Sequence, residues 1–547
     1  MTIKYTKEQL NKFDKDLLIE LFLGMQGQME ELSRQTQALN DRMQLMMEQM
    51  VLFQKNRFGR SSEKMADSEQ IRFMEVDGTI VFFNEAEAVC DLDAPEPDDL
   101  ELKAPKKKKQ PGKKAADIAG LTVKRIDHYL KEEELTAEFG ENGWKQLPDA
   151  ISRCYQFIPA SVVIEEHHIG VYSSKLDEHM IKAPHPRNLL HGSLVSPSLA
   201  AAVINGKYVN AVPLYRLEKE FERYGLAITR QNMANWMIRL GEEYLGTMYD
   251  YLHKLLYDYH VIQADETPVL VNKDGRPAGS QSYMWVYRSG FMYRDRQIIL
   301  YEYQKTRNAS HPRKFLRDYT GICVTDGYQV YHTLEKEREN LKIAGCWVHC
   351  RRRFNDALEV IPKAHRKESI LHLSMKQIQA IYREEGKLSD FSTEDRLMQR
   401  QLVVKPLVDA FFAYLKQNEP KIPKNGKIRE AFTYALNQES YLKVFLEDGD
   451  VPIDNNASER AIRGFCIGKK NWEMIDTVNG ANSSAIIYSI AETAKANNLK
   501  PFDYFEYLLT EIPKHVDDKN TDFLAELLPW SDMLPENIRK PQKASGK

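Results

Sequence analysis

At 547 residues the chain is too long for one hydrophobic core and points to three or four domains. A net charge of −3 with 28% charged residues excludes a uniformly basic nucleic-acid binder, so any basic surface has to be local. Six cysteines, at 90, 154, 323, 346, 350 and 466, form no CxxC pair; with no signal-peptide core and no apolar run approaching 18 residues, the expected location is the cytoplasm.

From residue 15 to about 55, Phe22, Met25, Met29, Leu32, Leu39, Met43, Met46, Met50 and Phe53 fall at alternating spacings of three and four, with Thr36 interrupting. A seam this narrow over several heptads, without proline, predicts a coiled coil in residues 1–64 and self-association. The alternative is an amphipathic helix packed on its own domain. Methionine in the seam packs adaptably and specifies subunit number poorly. Next stands Lys55-Asn56-Arg57-Phe58-Gly59-Arg60-Ser61-Ser62-Glu63-Lys64, which could grip phosphate through Arg57 and Arg60 or form a solvated helix end.

Residues 65–117 read as a linker. Six acids between Asp91 and Glu101 precede seven lysines between Lys103 and Lys114, with four prolines and almost nothing apolar to bury. Lys106, Lys107, Lys108 and Lys109 could scan DNA nonspecifically or pair with the acidic block. A small domain is expected over 118–190, strand-like from Phe157 to Glu165. Residues 191–255 carry three helical patterns, Pro197 to Val209, Leu214 to Arg223 and Thr229 to Leu240. The last follows a turn with a Thr N-cap and resembles the second helix of a helix-turn-helix, displaying Arg230, Gln231, Asn232, Asn235 and Trp236. Three-helix cores without DNA look the same.

Residues 256–334 alternate differently. Short β-branched runs at 259–264, 268–271, 282–287, 297–303 and 321–325 predict strands, with a helix near Pro312 to Tyr319. Asp265 leaves the first strand and Asp326 the last. If those strands are neighbours, the two carboxylates share a site and repel unless a cation lies between them. Oxygen ligands of this kind suit Mg²⁺ or Mn²⁺ in a two-metal phosphodiester site, with ions about 3.5–4 Å apart. Either Asp alone is ordinary turn chemistry.

Residues 335–450 are helical in pattern. Cys346, His349 and Cys350 lack the fourth ligand a structural zinc needs, so a buried helix with the basic flank Arg351-Arg352-Arg353 is expected. In residues 451–500, Asp454-Asn455-Asn456-Ala457-Ser458-Glu459-Arg460-Ala461-Ile462-Arg463 offers two readings of Glu459. It either closes a capping box on Asn456 or supplies the third acid, with Arg460 and Arg463 reaching phosphates. Residues 501–547 form a helical tail.

Several motifs together resemble the insertion-sequence sixty-six (IS-sixty-six) transposase family. They are Ala264 to Thr267, Thr325 to Tyr328, Gly345-Cys346 with His349 and Arg351 to Phe354, Asn456 to Arg463, and Ile467 to Trp472. Further ones are Arg57 to Lys64, Leu214-Tyr215-Arg216, Tyr488-Ser489-Ile490 with Thr493-Ala494-Lys495, and Leu527-Leu528-Pro529-Trp530. The resemblance spans nearly the whole chain. It implies a multidomain α and α/β protein whose ribonuclease-H-like mixed-sheet core is interrupted by a helical insertion, behind an N-terminal coiled coil and a helical DNA-binding region. It implies a D-D-E triad of Asp265, Asp326 and Glu459 holding two Mg²⁺ or Mn²⁺ ions. The substrate would be transposon-end and target DNA at the nucleoid, bound through Arg57, Arg60, Lys106 to Lys109, Arg230, Asn232, Arg351, Arg352, Arg460, Arg463, Lys469 and Lys470. Accessory proteins of the same element are implied too. Members commonly carry a four-cysteine zinc finger before the helices, whereas 130–190 holds only Cys154, so no zinc is expected. A purely hydrolytic nuclease and a non-catalytic DNA-binding regulator remain alternatives.

Overall fold

The computed structural model describes residues 130–141, 160–173, 180–184 and 187–541 except 278 and 519, together with two short strands at 73–76 and 79–82. The expected coiled coil and the charged stretch at 91–114 lie outside the described residues, and with them Arg57, Arg60, Lys106, Lys107, Lys108 and Lys109. Two compact units divide the chain. One, built on residues 46–153, holds the antiparallel strands β1 (Phe73–Val76) and β2 (Thr79–Phe82) and the helix α1 (Glu132–Phe139). Residues 65–117 are therefore not linker throughout. The signal was two four-residue runs around Asp77-Gly78, a dipeptide favoured in two-residue hairpin loops.

The other unit covers residues 154–540. It opens with a small hairpin, β3 (Val171–Ser173) with β4 (Met180–Lys182). Residues 160–165, expected as part of a strand, are irregular: Val163 and Ile164 are 76% and 94% exposed, and strand composition without a covering face makes no strand. Four helices follow, α2 (Pro197–Ile204, prolonged by a wider turn through Val209), α3 (Leu214–Arg223), α4 (Arg230–Leu240) and α5 (Gly246–Leu256). The Ser196 and Thr229 hydroxyls cap α2 and α4, each accepting a backbone N–H at 3.2 Å. Helix α4 buries Met233, Trp236, Met237 and Leu240 as one stripe and exposes Arg230, Gln231, Asn232 and Asn235. Trp236 thus belongs to the core, not to the polar face.

The centre is a six-stranded sheet. Strand β5 (Val261–Lys273) pairs antiparallel with β6 (Gln281–Ser289), which pairs antiparallel with β7 (Ile299–Gln304). On its other side β5 pairs parallel with β8 (Gly321–Thr325), and β8 parallel with β9 (Leu341–Gly345). Helices α6 (Ser310–Phe315) and α7 (Gln329–Glu337) make the crossovers that parallel strands require. Strand β9 was missed in the sequence because its short apolar run sits among Lys and Glu. The helical insertion therefore starts after Gly345, not at 335.

Side chains alternate across the sheet. Ile262, Ala264, Cys323 and Ile343 join a core shared with α2 to α5 and with α14 (Asn456–Trp472), α15 (Val478–Ala496) and α16 (Pro501–Glu511). Val261, Ile322, Val324 and Ala344 join a second core with the insertion helices. These are α8 (Trp347–Val360), α9 (Ile370–Gly386), α10 (Thr393–Gln399), α11 (Lys405–Asn418), α12 (Lys427–Asn437) and α13 (Glu439–Lys443). A short strand, β10 (Ile475–Thr477), adds parallel to the far end of β5. Among the described residues no helix is long and apolar enough to cross a membrane.

The edge strand β7 meets a helix instead of another strand. Ser489 Oγ accepts from Tyr301 N at 2.7 Å, and Thr493 Oγ1 both accepts from Ile299 N and donates to its carbonyl at 3.0 Å. The Tyr488 to Lys495 motif is thus a device that closes a sheet edge.

Candidate active site

The parallel ladder of β5 and β8 ends at Gln263 opposite Val324. Two residues further on each strand stand Asp265 and Asp326, so the register places the carboxylates beside each other. By alternation with Val261 and Val324 they face the insertion helices. Asp265 lies inside β5 and not at its end, a correction to the two short strands expected there. Pro268 did not break the strand because its carbonyl, and with it the missing N–H, faces the edge that β8 has left. There Lys469 Nζ donates to that carbonyl at 2.8 Å.

Burial, then the charges of Glu266 and Asp326, push the Asp265 carboxyl well above its ordinary range. Glu459 adds to this, and the Glu266 N–H, donating to Oδ1 at 2.8 Å, offsets part of it. Asp326 is fixed by Tyr328 N–H, which donates to Oδ1 at 2.9 Å, and by Tyr434 Oη, which donates to its carbonyl at 3.0 Å. The turn needs Gly327: its φ is +89°, and a Cβ there would come within 2.9 Å of Tyr434 Oη.

Glu459 enters on the first turn of α14. The capping box on Asn456, one of the two readings, is absent, because the cap residue is Asn455 and its amide is committed to β5. Asn455 Nδ2 donates to Ala264 O at 2.8 Å and Oδ1 accepts from Gln263 Nε2 at 3.1 Å. Asn455 N also donates to Cys346 Sγ at 3.2 Å, and Trp347 N to Ile453 O at 3.2 Å, so the starts of α8 and α14 are tied to the strand carrying Asp265. Cys346 and Cys350 are buried free thiols in this junction.

The Glu459 carboxylate lies 3.2 Å from His349 Nε2 and 3.7 Å from Arg352 on α8. Burial works to raise it, but His349, Arg352 and Arg463 together hold it below its usual range. Oε1 is the oxygen that faces His349, and Oε2 the one that faces Arg352. Among the described residues no three His, Cys, Asp or Glu side chains converge as a metal cage. The two aspartates stand together, and the third acid belongs to the same charge cluster but is turned toward α8.

Two participants were missed in the sequence. Glu266, 1% exposed at its side chain, pairs with Arg307, whose Nε donates to Oε1 at 2.7 Å. Arg307 also stands 4.0 Å from Asp326 Oδ2 and stacks 3.7 Å over the Tyr328 ring. An acid beside Asp265 was the available signal for Glu266, whereas Arg307, between a strand and a helix, reads as a solvated cation. His349 was legible only as an incomplete zinc ligand set.

The remaining candidate contacts spread more widely. Arg352 and Arg460 are exposed near Glu459, Arg460 lying 5.5 Å over Phe291, and Arg351 lies 5.7 Å over the Tyr382 ring. Arg463 sits a turn after Glu459 on α14, and Lys469 and Lys470 lie in its last turn. Arg230 and Asn232 are exposed at the start of α4, far along the chain from the acids. At the expected zinc-finger position, the His168 Nε2 lies 2.9 Å from exposed Glu166.

Comparison with known proteins follows this arrangement closely. A family model described as "Transposase IS66 family" matches residues 192–483, the helices before the sheet, the sheet, the insertion and α14. An "IS66 C-terminal element" matches 489–530, and a model named "Transposase C of IS166 homeodomain" matches 45–126. Three proteins of Sinorhizobium fredii, named uncharacterized proteins y4qI, y4jD and y4hP, are 28%, 24% and 22% identical to the chain. The alignments cover 66%, 76% and 72% of it and 67%, 82% and 72% of the relatives. A family whose function is transposition supports DNA as partner and divalent metal in the chemistry, and the chain belongs to the IS66 family of transposases.

Proposed function

We propose that the sheet is a ribonuclease-H-like catalytic core and that Asp265, Asp326 and Glu459 are its D-D-E triad. The carrying observation is the register of β5 and β8, which sets Asp265 and Asp326 side by side, with Glu459 brought to the same cluster by Asn455. The donor set is all oxygen, and Asp326 lies close enough to Asp265 to raise the cost of its charge, which fits a hard cation such as Mg²⁺ or Mn²⁺ between them. Bound divalent ions would activate the attacking oxygen and stabilise the leaving one.

The chain's own groups do the rest. Asp265, whose carboxyl is pushed by burial toward the protonated form, would give up that proton if a cation were held there. Glu459 joins the aspartates once His349 and Arg352 turn to incoming phosphates. Arg351, Arg352, Arg460, Arg463, Lys469 and Lys470 steady the DNA backbone, while Arg230 and Asn232 on α4 contact the terminal inverted repeats. The product is a transposon end hydrolysed to a free 3′-OH, which then attacks target DNA without a covalent enzyme intermediate. The N-terminal coiled coil joins copies of the chain, and accessory proteins of the same element act beside it.

A strand-transfer assay tests this reading. Wild-type chain with terminal-repeat duplex, target DNA and Mg²⁺ should give joined products, and Asp326→Asn should give neither nicks nor joints while still binding ends. Nicks without joints from the wild type would leave a hydrolytic nuclease. Binding without either would leave a regulator.

A further inference from the structure

We propose that Glu266 and Arg307 are positioning residues for Asp326: Glu266 is the counter-charge that holds Arg307 at the edge of ion-pair distance, so the arginine orients Asp326 without occupying it. The inference rests on the reading of Asp326 as a cation ligand. Glu266 follows Asp265 in β5 but alternates to the other face, where its side chain is 1% exposed. Arg307 Nε reaches Glu266 Oε1 at 2.7 Å, a second guanidinium nitrogen closes on the same oxygen, and that nitrogen is 4.0 Å from Asp326 Oδ2.

Tyr328 completes the circuit. Its ring lies 3.7 Å under the guanidinium, its hydroxyl donates to the Arg307 carbonyl at 2.7 Å, and its N–H donates to Asp326 Oδ1 at 2.9 Å. The stacked ring and the Glu266 contact keep the Arg307 guanidinium beside Asp326. It is not drawn fully onto Asp326 while Glu266 Oε1, the nearer acceptor, holds two of its nitrogens. A buried ion pair is an expensive way to gain stability, and this one leaves Glu266 Oε2 without a partner. Its position between two site acids gives it a use. Lysine could not replace the arginine, having neither a plane to stack nor a fork to span two carboxylates.

Mn²⁺ binding to the full-length chain without DNA, followed by the paramagnetic resonance of the free ion, tests the idea. Glu266→Gln frees Arg307 to compete for Asp326 and should weaken Mn²⁺ binding about tenfold, with the Mg²⁺ needed for nicking rising in parallel. Removing the competitor as well, in E266Q/R307Q, should recover part of the lost affinity, to about threefold below wild type, the remaining loss being that of the orienting arginine, a rescue that a merely structural pair would not give. Unchanged affinity in E266Q, or a double variant no better than the single, overturns the proposal. If E266Q fails to fold, Arg307→Lys takes its place: weaker binding is expected, and wild-type affinity overturns it. Wild-type affinity in Asp326→Asn would instead remove the metal reading underneath.

Discussion

Buried carboxylates in this molecule divide by what their neighbours supply. Glu459 is held ionised by His349 and Arg352, whereas Asp265 and Glu302 are pushed toward the neutral acid. Glu302 on β7 lies away from the triad and gives a clean test of the electrostatics. Burial raises it from 4.5 to about 7, and its Oε2 has no hydrogen bond. An acid whose folded pKa is raised binds more protons in the fold than unfolded. Its stabilisation is therefore present below pH 4.5 and lost as pH climbs from 4.5 to about 7. Glu302→Gln should melt about 2–4 °C higher than wild type at pH 8 and no higher at about pH 4. Equal melting at both pH values would show that the Glu302 carboxyl is not strained by burial.

At the scale of elements, Asn455 is the joint of the site. It is 1% exposed and links β5 to the starts of α8 and α14, so Asp265 and Glu459 keep their places through it. Asn455→Ala would leave the Ala264 carbonyl and the Gln263 amide short of partners in a dry place, at a cost of about 2–4 kcal/mol. Chemical denaturation should show that loss, with nicking falling further than stability alone explains. A variant as stable and active as wild type would contradict the joint.

The strands that carry chemistry were legible because β-branched runs with turn residues leave little choice: β8 falls on the expected residues, and α3 and α4 almost so. The continuity of β5 through Pro268 was not, since it depends on which edge the carbonyl faces. Neither was β9, whose parallel pairing is a property of the sheet and not of its own five residues. Asp265 and Asp326 could be named from strand ends, but Arg307 and Asn455 could not. Their roles come from contacts spanning 41 and 191 positions.

On the proposed reading, recognition and chemistry occupy different elements of the fold. The exposed polar face of α4 precedes the sheet, and the acids cluster where β5, β8 and α14 meet. Affinity for DNA then comes mostly from cations, and removing an acid should spare it. The six-stranded sheet with a helical face on each side gives rigid supports for the acids, and the insertion contributes His349 and Arg352 directly to the third one.

Glu459 is where this account is most exposed, because its carboxylate is the one turned toward α8. Nicking of terminal-repeat DNA in Mg²⁺ by Glu459→Gln measures its part directly. The account predicts end binding close to wild type and nicking reduced at least about 100-fold. Nicking by Glu459→Gln at the wild-type rate would contradict it.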